Sequence, residues 1–100
     1  MFNLSLIITL YNSISYSRRI KSYIEELPND IQVIIIDDCS HDGTYEFFHD
    51  VYRIRINVVL YREQKNRGVA AARNRGIALA QAPLIAFADA DDFVDSSALV

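Results

Sequence analysis

The chain has 100 residues, of which 51% are hydrophobic and 23% charged, and its formal net charge is −3. This length accommodates one small domain with a single core, and the net negative charge argues against a protein that coats nucleic acid. Cys39 is the only cysteine, which excludes an intramolecular disulfide and a cysteine-based metal cluster.

The first half of the chain contains two apolar runs, each followed by a helix-like segment. Leu4–Leu10 is rich in Ile and Leu and predicts a buried strand. Ser15 is positioned to cap a helix with hydrophobic residues at three- or four-residue spacing, which Pro28 and its polar neighbours would end. Ile31–Asp37 predicts a second strand, and after a polar turn Thr44–Tyr52 predicts a short helix.

The second half repeats this alternation. Asn57–Tyr61 predicts a third strand, an Ala-rich helix is predicted over Val69–Gln81, and Leu84–Ala88 predicts the last strand. Gly76 is expected to let the Ala-rich helix pack closely on the sheet. Strands and helices that alternate in this way form a parallel sheet with right-handed crossovers. We therefore predict an α/β fold with an open, mainly parallel sheet.

Polar residues follow each predicted strand at its carboxyl end. Open parallel sheets bind ligands beyond the carboxyl ends of their strands, which all meet at one edge. The polar groups in question are Tyr11-Asn12, Asp37-Asp38, Glu63 to Asn66, and Asp89 to Asp92. Their positions predict one binding site at that edge.

The acidic run Asp89-Ala90-Asp91-Asp92 directly follows the last predicted strand. Residues two apart in a strand point the same way and lie about 6.6 Å apart, so Asp89 and Asp91 are expected on one face. Two carboxylates about 4 Å apart repel each other by roughly 4 kcal/mol at an effective dielectric constant near 20, unless a cation lies between them. The run therefore favours a divalent cation with oxygen ligands over the alternative of a solvated acidic turn or helix cap.

A second acidic pair, Asp37-Asp38, ends the second predicted strand. A carboxylate at this point can accept hydrogen bonds from a nucleobase N–H group or a ribose hydroxyl. The residues that follow are typical of a turn, and Asp42 or Thr44 is expected to cap the next helix.

Half of the basic residues lie between Arg62 and Arg75. Arg73 shares a helical stripe with Val69 and Ile77 beside the predicted buried face, and helical side chains lean toward the helix N-terminus. Arg73 is therefore expected to reach the site at the sheet edge. The other four basic residues are interpreted as a solvated face: Arg62, Lys65, Arg67 and Arg75. Phosphate contact by Lys65 or Arg67 is left open.

Two common nucleotide-binding motifs are absent from the sequence. No G-x-G-x-x-G follows the first strand, and no G-x-x-x-x-G-K-[ST] occurs anywhere in the chain. The sequence therefore does not support a dinucleotide-binding Rossmann domain or a standard P-loop.

Five motifs, in order and at the expected spacing, resemble those of the family 2 glycosyltransferases, and together they cover essentially the whole chain. They are Ile7-Ile8-Thr9-Leu10-Tyr11-Asn12, Ile36-Asp37-Asp38-Cys39-Ser40-His41-Asp42-Gly43-Thr44, Asn66-Arg67-Gly68, Ala72-Arg73-Asn74-Arg75-Gly76-Ile77 and Phe87-Ala88-Asp89-Ala90-Asp91-Asp92. The resemblance implies a GT-A fold and transfer of a sugar from a nucleotide-diphosphate donor, most often a UDP-sugar, usually with inversion. It also implies Mg²⁺ or Mn²⁺ as the cofactor, and a role in polysaccharide biosynthesis.

The resemblance also implies roles for individual residues. Tyr11 would flank the base, Asp38 would accept a hydrogen bond from the base, and Arg73 would approach the base or the diphosphate. Asp89 would hold the ribose, and Asp91 would ligate the metal. Thr9 completes the expected nucleotide-sugar-binding set, although the family usually has proline at this position, so the first loop is expected to be less rigid here.

By the same resemblance, residues 1–100 are expected to be the N-terminal nucleotide-diphospho-sugar-binding part of a GT-A domain, truncated after about four strands, with the acceptor half absent. The catalytic base is expected beyond Val100, so no catalytic residue is assigned. The chain is expected to bind donor without turnover, and to self-associate through an uncovered sheet edge. The acceptor is expected to be a saccharide or a lipid-linked molecule, and no nucleic acid is expected as a partner.

Two other interpretations remain open at this stage. A Mg²⁺-dependent phosphotransferase can also carry a D-x-D motif after a strand, and a non-catalytic nucleotide-binding or assembly fragment would need no base. The single cysteine and the absence of a basic, apolar leader predict a cytoplasmic location. In the full-length protein, a peripheral position at the inner face of the membrane is the alternative.

Overall fold

The computed structural model of the protein describes residues 1–93. Strands and helices alternate along this part of the chain, as the apolar runs predict. The elements are β1 (Leu4–Leu10), a 3-10 turn (Ile14–Tyr16), α1 (Ser17–Glu25), β2 (Ile31–Asp37), α2 (Thr44–Tyr52), β3 (Val58–Arg62), α3 (Val69–Leu79), β4 (Leu84–Asp89) and a second 3-10 turn (Ala90–Asp92).

The strands form one parallel sheet in the order β3-β2-β1-β4. β1 and β2 are central, and each is buried along almost its whole length. The predicted α/β fold with a parallel sheet is confirmed, and each predicted strand lies within one residue of the observed one. Parallel order brings the carboxyl ends of all four strands to one edge of the sheet, where a ligand site is expected.

The predicted cap of the first helix is wrong. α1 begins at Ser17, its N-cap position is Tyr16, and no side chain caps it. The preceding turn explains the shift, because Ile14–Tyr16 is a 3-10 helix whose Ile14 carbonyl accepts a hydrogen bond from the Ser17 hydroxyl at 2.7 Å. Ser15 lies inside this turn and is exposed.

The two faces of the sheet carry separate cores. One face packs against α1 and α2, and its buried residues include Ile8, Ile20 and Phe48. The other face packs against α3 through a smaller cluster, of which Ile7 and Ala72 are members. Alternation of side chains along a strand sends neighbouring residues to opposite faces, so each central strand contributes to both cores.

α3 lies against the sheet through small residues. Ala72 and Gly76 are its buried positions, and a methyl group added at Gly76 would lie 2.4 Å from Cγ2 of Ile7. The prediction that Gly76 allows close packing is therefore confirmed. The helical stripe that contains Val69, Arg73 and Ile77 was predicted to lie beside the buried face. It is more exposed to solvent than expected, because Val69 and Ile77 are 51% and 45% exposed.

No further strand among residues 1–93 pairs with the free side of β4. On the α3 face of this strand, Ile85 and Phe87 are 40% and 46% exposed. Self-association through this edge stays a prediction. No helix in the described range is long and apolar enough to cross a membrane.

Candidate functional site

The carboxyl edge of the sheet holds an open cleft of about 380 Å³. That volume is within the range of small-molecule sites. Its lining comes from the ends of β1, β2 and β4 and from the start of α3, and the predicted site residues in it are Thr9, Tyr11, Asp38, Asp89 and Asp91. Arg73 joins them through a hydrogen bond to Asp89. The structure therefore brings every predicted site residue to one place.

Asp89 is the last residue of β4, and each of its carboxylate oxygens is held by a different donor. The hydroxyl of Thr9 donates to Oδ1 at 2.6 Å, and Nη2 of Arg73 donates to Oδ2 at 3.0 Å. Thr9 and Asp89 are paired neighbours in the β1–β4 ladder, which explains the first contact. The predicted reach of Arg73 into the site is confirmed, and its guanidinium also lies 5.7 Å from the ring centroid of Phe87. The Asp89 side chain also accepts the backbone N–H of Asp92 in a capping box, so three groups hold it.

The three aspartates of the acidic run each offer a carboxylate oxygen within 4.8 Å of the others. Asp92 is engaged elsewhere, because its Oδ2 accepts a hydrogen bond from the backbone N–H of Asp89 at 2.7 Å. Asp91 is exposed, and no donor within residues 1–93 hydrogen-bonds its carboxylate. These three residues offer only oxygen ligands, and the carboxylate of Asp91 is not hydrogen-bonded within residues 1–93. Such a set fits Mg²⁺ or Mn²⁺, which prefer oxygen ligands.

The two aspartates that follow one another at the end of β2 have different surroundings. Asp37 is fully buried, and its carboxylate accepts hydrogen bonds from the backbone N–H and the hydroxyl of Ser40 at 2.9 and 2.6 Å. Asp38 lines the cleft and accepts the backbone N–H groups of Arg67 and Gly68 at 2.8 and 2.9 Å. Asp37 therefore shapes the turn, whereas Asp38 faces the ligand side.

Gly68 is needed for the contact with Asp38. Its φ of 93° lies in the region that side chains disfavour, and it is the N-cap of α3. With this backbone conformation, two successive N–H groups at the start of α3 point at one carboxylate. Gly68 is part of the sequence motif Asn66-Arg67-Gly68, but its contact with Asp38 is not apparent from the sequence.

Two residues interpreted as a solvated basic face are in ion pairs. Arg75 donates to both carboxylate oxygens of the buried Glu63, at 3.1 and 3.3 Å. These hydrogen bonds and the charge of Glu63 raise the pKa of Arg75. Arg62 donates to the carbonyl of Ser40 at 2.9 Å and lies 3.8 Å from the carboxylate of Asp37. Sequence reasoning missed both pairs because each joins residues that only the fold brings together.

Tyr11 stands at the mouth of the cleft and is 48% exposed. The loop that carries it is tied to the β2–α2 turn. The backbone N–H of Ser13 donates to the Thr44 hydroxyl at 2.8 Å, and Asn12 accepts the N–H of His41 through Oδ1 at 2.8 Å. These cross-loop hydrogen bonds hold the first loop, although Thr9 replaces the usual proline near the end of β1, just before the loop.

Asp42 supports the same loop pair, but the predicted capping of α2 by Asp42 or Thr44 is wrong, because the N-cap is Gly43 and no side chain caps the helix. The Asp42 carboxylate accepts the N–H and hydroxyl of Thr44 at 3.1 and 2.5 Å, and the N–H of Ile14 at 3.1 Å. Desolvation alone would raise the pKa of Asp42, but these hydrogen bonds outweigh it and lower the pKa below its usual 3.8.

Replacing Asp42 with alanine is expected to destabilise the protein by about 1 kcal/mol at neutral pH, because its hydrogen bonds from Thr44 and Ile14 are lost. A carboxylate with a lowered folded-state pKa stabilises the protein above its unfolded pKa and loses this effect as pH falls through the folded value. The gap in melting temperature between wild type and Asp42→Ala should therefore be constant well above pH 3.8 and close as the pH falls below that value. Thermal melts across this range measure it, and a gap that persists at the acid end would contradict the assignment.

Comparison with known proteins places these residues in a family context. The model of the family described as Glycosyl transferase family 2 matches residues 5–99. The chain is 35% identical over 97 residues to an uncharacterized glycosyltransferase of Haemophilus influenzae, covering 96% of this chain and 39% of that protein. It is 32% identical over 99 residues to a cholesterol galactosyltransferase of Borreliella burgdorferi, covering 98% of this chain and 27% of that protein.

A solved structure with a similar fold is that of Staphylococcus aureus TarS residues 1–349 in complex with UDP-GlcNAc. The TM-score is 0.78 with 28% sequence identity, and the match covers 90% of this chain and 27% of that one. The chain therefore spans between about a quarter and two fifths of the length of the proteins it matches here.

Proposed function

Because the chain belongs to glycosyl transferase family 2, we propose that the protein transfers a sugar from a nucleoside-diphosphate donor to an acceptor hydroxyl, and that the cleft at the carboxyl edge is its donor site. The observation that carries this proposal is the convergence of Tyr11, Asp38, Arg73, Asp89 and Asp91 at that cleft. A uridine nucleotide is the proposed donor, since TarS, solved with UDP-GlcNAc, shares the fold at 28% identity.

The base is proposed to bind between Tyr11 and Asp38. An exposed tyrosine ring offers an aromatic face for stacking on a base. Each carboxylate oxygen of Asp38 accepts one backbone N–H and keeps a further lone pair, with which it can accept a base N–H. Uracil presents one such N–H between two carbonyls, so a fixed acceptor matches it.

The ribose and diphosphate are proposed to bind beside β4. Asp89 accepts hydrogen bonds from the ribose hydroxyls, and Asp91 would hold a divalent cation. When bound, such a cation would supply Lewis-acid stabilisation of negative charge on the diphosphate. Arg73 adds a positive charge next to Asp89 and so favours the same polyanion.

In the proposed reaction, the bond between the anomeric carbon and the diphosphate oxygen breaks and a bond to the acceptor oxygen forms. The acceptor hydroxyl loses its proton to a base, and the nucleoside diphosphate leaves with the bonding electron pair. Inversion at the anomeric carbon is proposed from the family resemblance. No carboxylate of residues 1–93 is assigned as the base, because those at the cleft already serve the donor in this proposal.

Calorimetric titration of the protein with UDP in the presence of Mn²⁺ tests the donor site. We expect saturable binding that Asp89→Ala weakens at least tenfold, because that variant removes a charged hydrogen-bond acceptor. Asp50→Ala is the matched control, since Asp50 is an exposed carboxylate near the end of α2 that lies away from the cleft. Absence of UDP binding by the wild type, or equal losses in the two variants, would refute the proposed site.

A further inference from the structure

Thr9 lies under the cleft, and its hydroxyl is already committed. The residue is 7% exposed, so its side chain presents little surface to a ligand. Its Oγ1 lies 2.6 Å from Oδ1 of Asp89, a distance typical of a short hydroxyl-to-carboxylate hydrogen bond. A hydroxyl has one proton to donate, so Thr9 cannot donate to a bound nucleotide while it holds Asp89.

The Thr9 contact helps to fix the plane of the Asp89 carboxylate. The terminal torsion of an aspartate is broad, and one hydrogen bond leaves the group free to rotate about the bonded oxygen. Arg73 holds only Oδ2, through one nitrogen, and its own side chain is 42% exposed. The Asp89 side chain also accepts the backbone N–H of Asp92 in a capping box. Of the three contacts, the Thr9 hydroxyl is the buried one on Oδ1, and it restricts the directions in which the remaining lone pairs can point.

We propose that Thr9 is a positioning residue for donor binding, whose hydroxyl orients Asp89 toward the ribose hydroxyls. This inference rests on the proposed function, and it assigns to Thr9 an indirect role in place of direct contact with the nucleotide sugar. The backbone places the pair for this purpose, because Thr9 and Asp89 are directly paired residues of adjacent strands. The effect of Thr9 must then depend on the presence of ribose hydroxyls.

The test compares UDP with 2′,3′-dideoxy-UDP, both with Mn²⁺, on the wild type and on Thr9→Val, Thr9→Ala and Thr9→Ser. Valine keeps the branched shape and removes only the hydroxyl, whereas serine keeps the hydroxyl. We expect Thr9→Val and Thr9→Ala to bind UDP about tenfold more weakly than the wild type, the effect of one charge-assisted hydrogen bond. Thr9→Ser should bind UDP as the wild type does, and all variants should bind the dideoxy analogue equally.

The arms of this experiment separate the inference from the function on which it rests. No binding of UDP by the wild type refutes the proposed function. If the wild type binds UDP, unchanged UDP affinity in Thr9→Val and Thr9→Ala overturns the positioning role alone. Equal losses for UDP and the dideoxy analogue also overturn it, because they indicate a general structural defect. If one of the two hydroxyl-free variants fails to fold, the other gives the same comparison, and Thr9→Ser must still retain wild-type affinity.

Discussion

Asp91→Asn is expected to weaken UDP binding in the presence of Mn²⁺ about 100-fold, a loss of roughly 3 kcal/mol, and to leave metal-free binding unchanged. Asp91 is the one aspartate of the acidic run whose carboxylate has no hydrogen-bond donor within residues 1–93. A carboxylate that binds a cation directly contributes several kcal/mol at an effective dielectric constant near 20. Without the metal, an exposed Asp91 has no attractive contact with a diphosphate.

Asp92→Asn is the matched control for this prediction. It removes the same charge one residue away, from a carboxylate that also lies within 4.8 Å of the others. Asn keeps an oxygen that can accept the N–H of Asp89, so the 3-10 turn should persist. Calorimetry with and without Mn²⁺, together with the loss of the free Mn²⁺ electron paramagnetic resonance signal, measures both variants. Equal loss of Mn²⁺ binding in the two variants would contradict the specific role of Asp91. It would show that the total negative charge determines metal binding, and not the absence of a hydrogen-bond donor to the Asp91 carboxylate within residues 1–93.

Much of the fold could be predicted because the strong signals in this sequence are local. Ile31–Asp37 is a nearly continuous apolar run, and such a run has few alternatives to a central parallel strand. The errors occur where a local signal was ambiguous. Ser15 resembles a helix cap, but the chain inserts a 3-10 turn before α1. Val69 and Ile77 resemble core residues, but they are about half exposed, because Ala72 and Gly76 form the face that meets the sheet.

The site was predictable only as a set of residues. Strand ends identified Asp37 and Asp38 together, but no local pattern separates the one that shapes the turn from the one that lines the cleft. That difference comes from Ser40 on one side and from the start of α3 on the other. The contact of Thr9 with Asp89 depends on strand order, since β1 and β4 are 80 positions apart at this point and adjacent only in the sheet. The spacing of the motifs indicates neither the different surroundings of Asp37 and Asp38 nor the contact between Thr9 and Asp89.

Gly76→Ala is expected to destabilise the protein by about 1–3 kcal/mol, the usual range for overpacking a core. The added methyl group would lie 2.4, 3.0 and 3.1 Å from three side-chain carbons of Ile7. Ile7 is fully buried on the central strand β1 and, being β-branched, has little rotameric freedom. Alanine is favoured over glycine in a helix by about 1 kcal/mol, so the steric cost must exceed that gain. Asn74→Ala, at an exposed position of α3, is the control and should be neutral or mildly stabilising.

The same substitution is expected to weaken UDP binding, although Gly76 does not line the cleft. α3 carries Arg73, and its first turn begins at Gly68, whose N–H holds Asp38. If the added methyl group pushes α3 away from β1, both contacts lengthen together. Chemical denaturation and UDP calorimetry measure the two effects, and the Ile7→Ala background tests their common cause, because it removes all three close carbons. In that background Gly76→Ala should no longer destabilise the protein, and a cost that persists there would assign the effect to something other than the contact between helix and sheet.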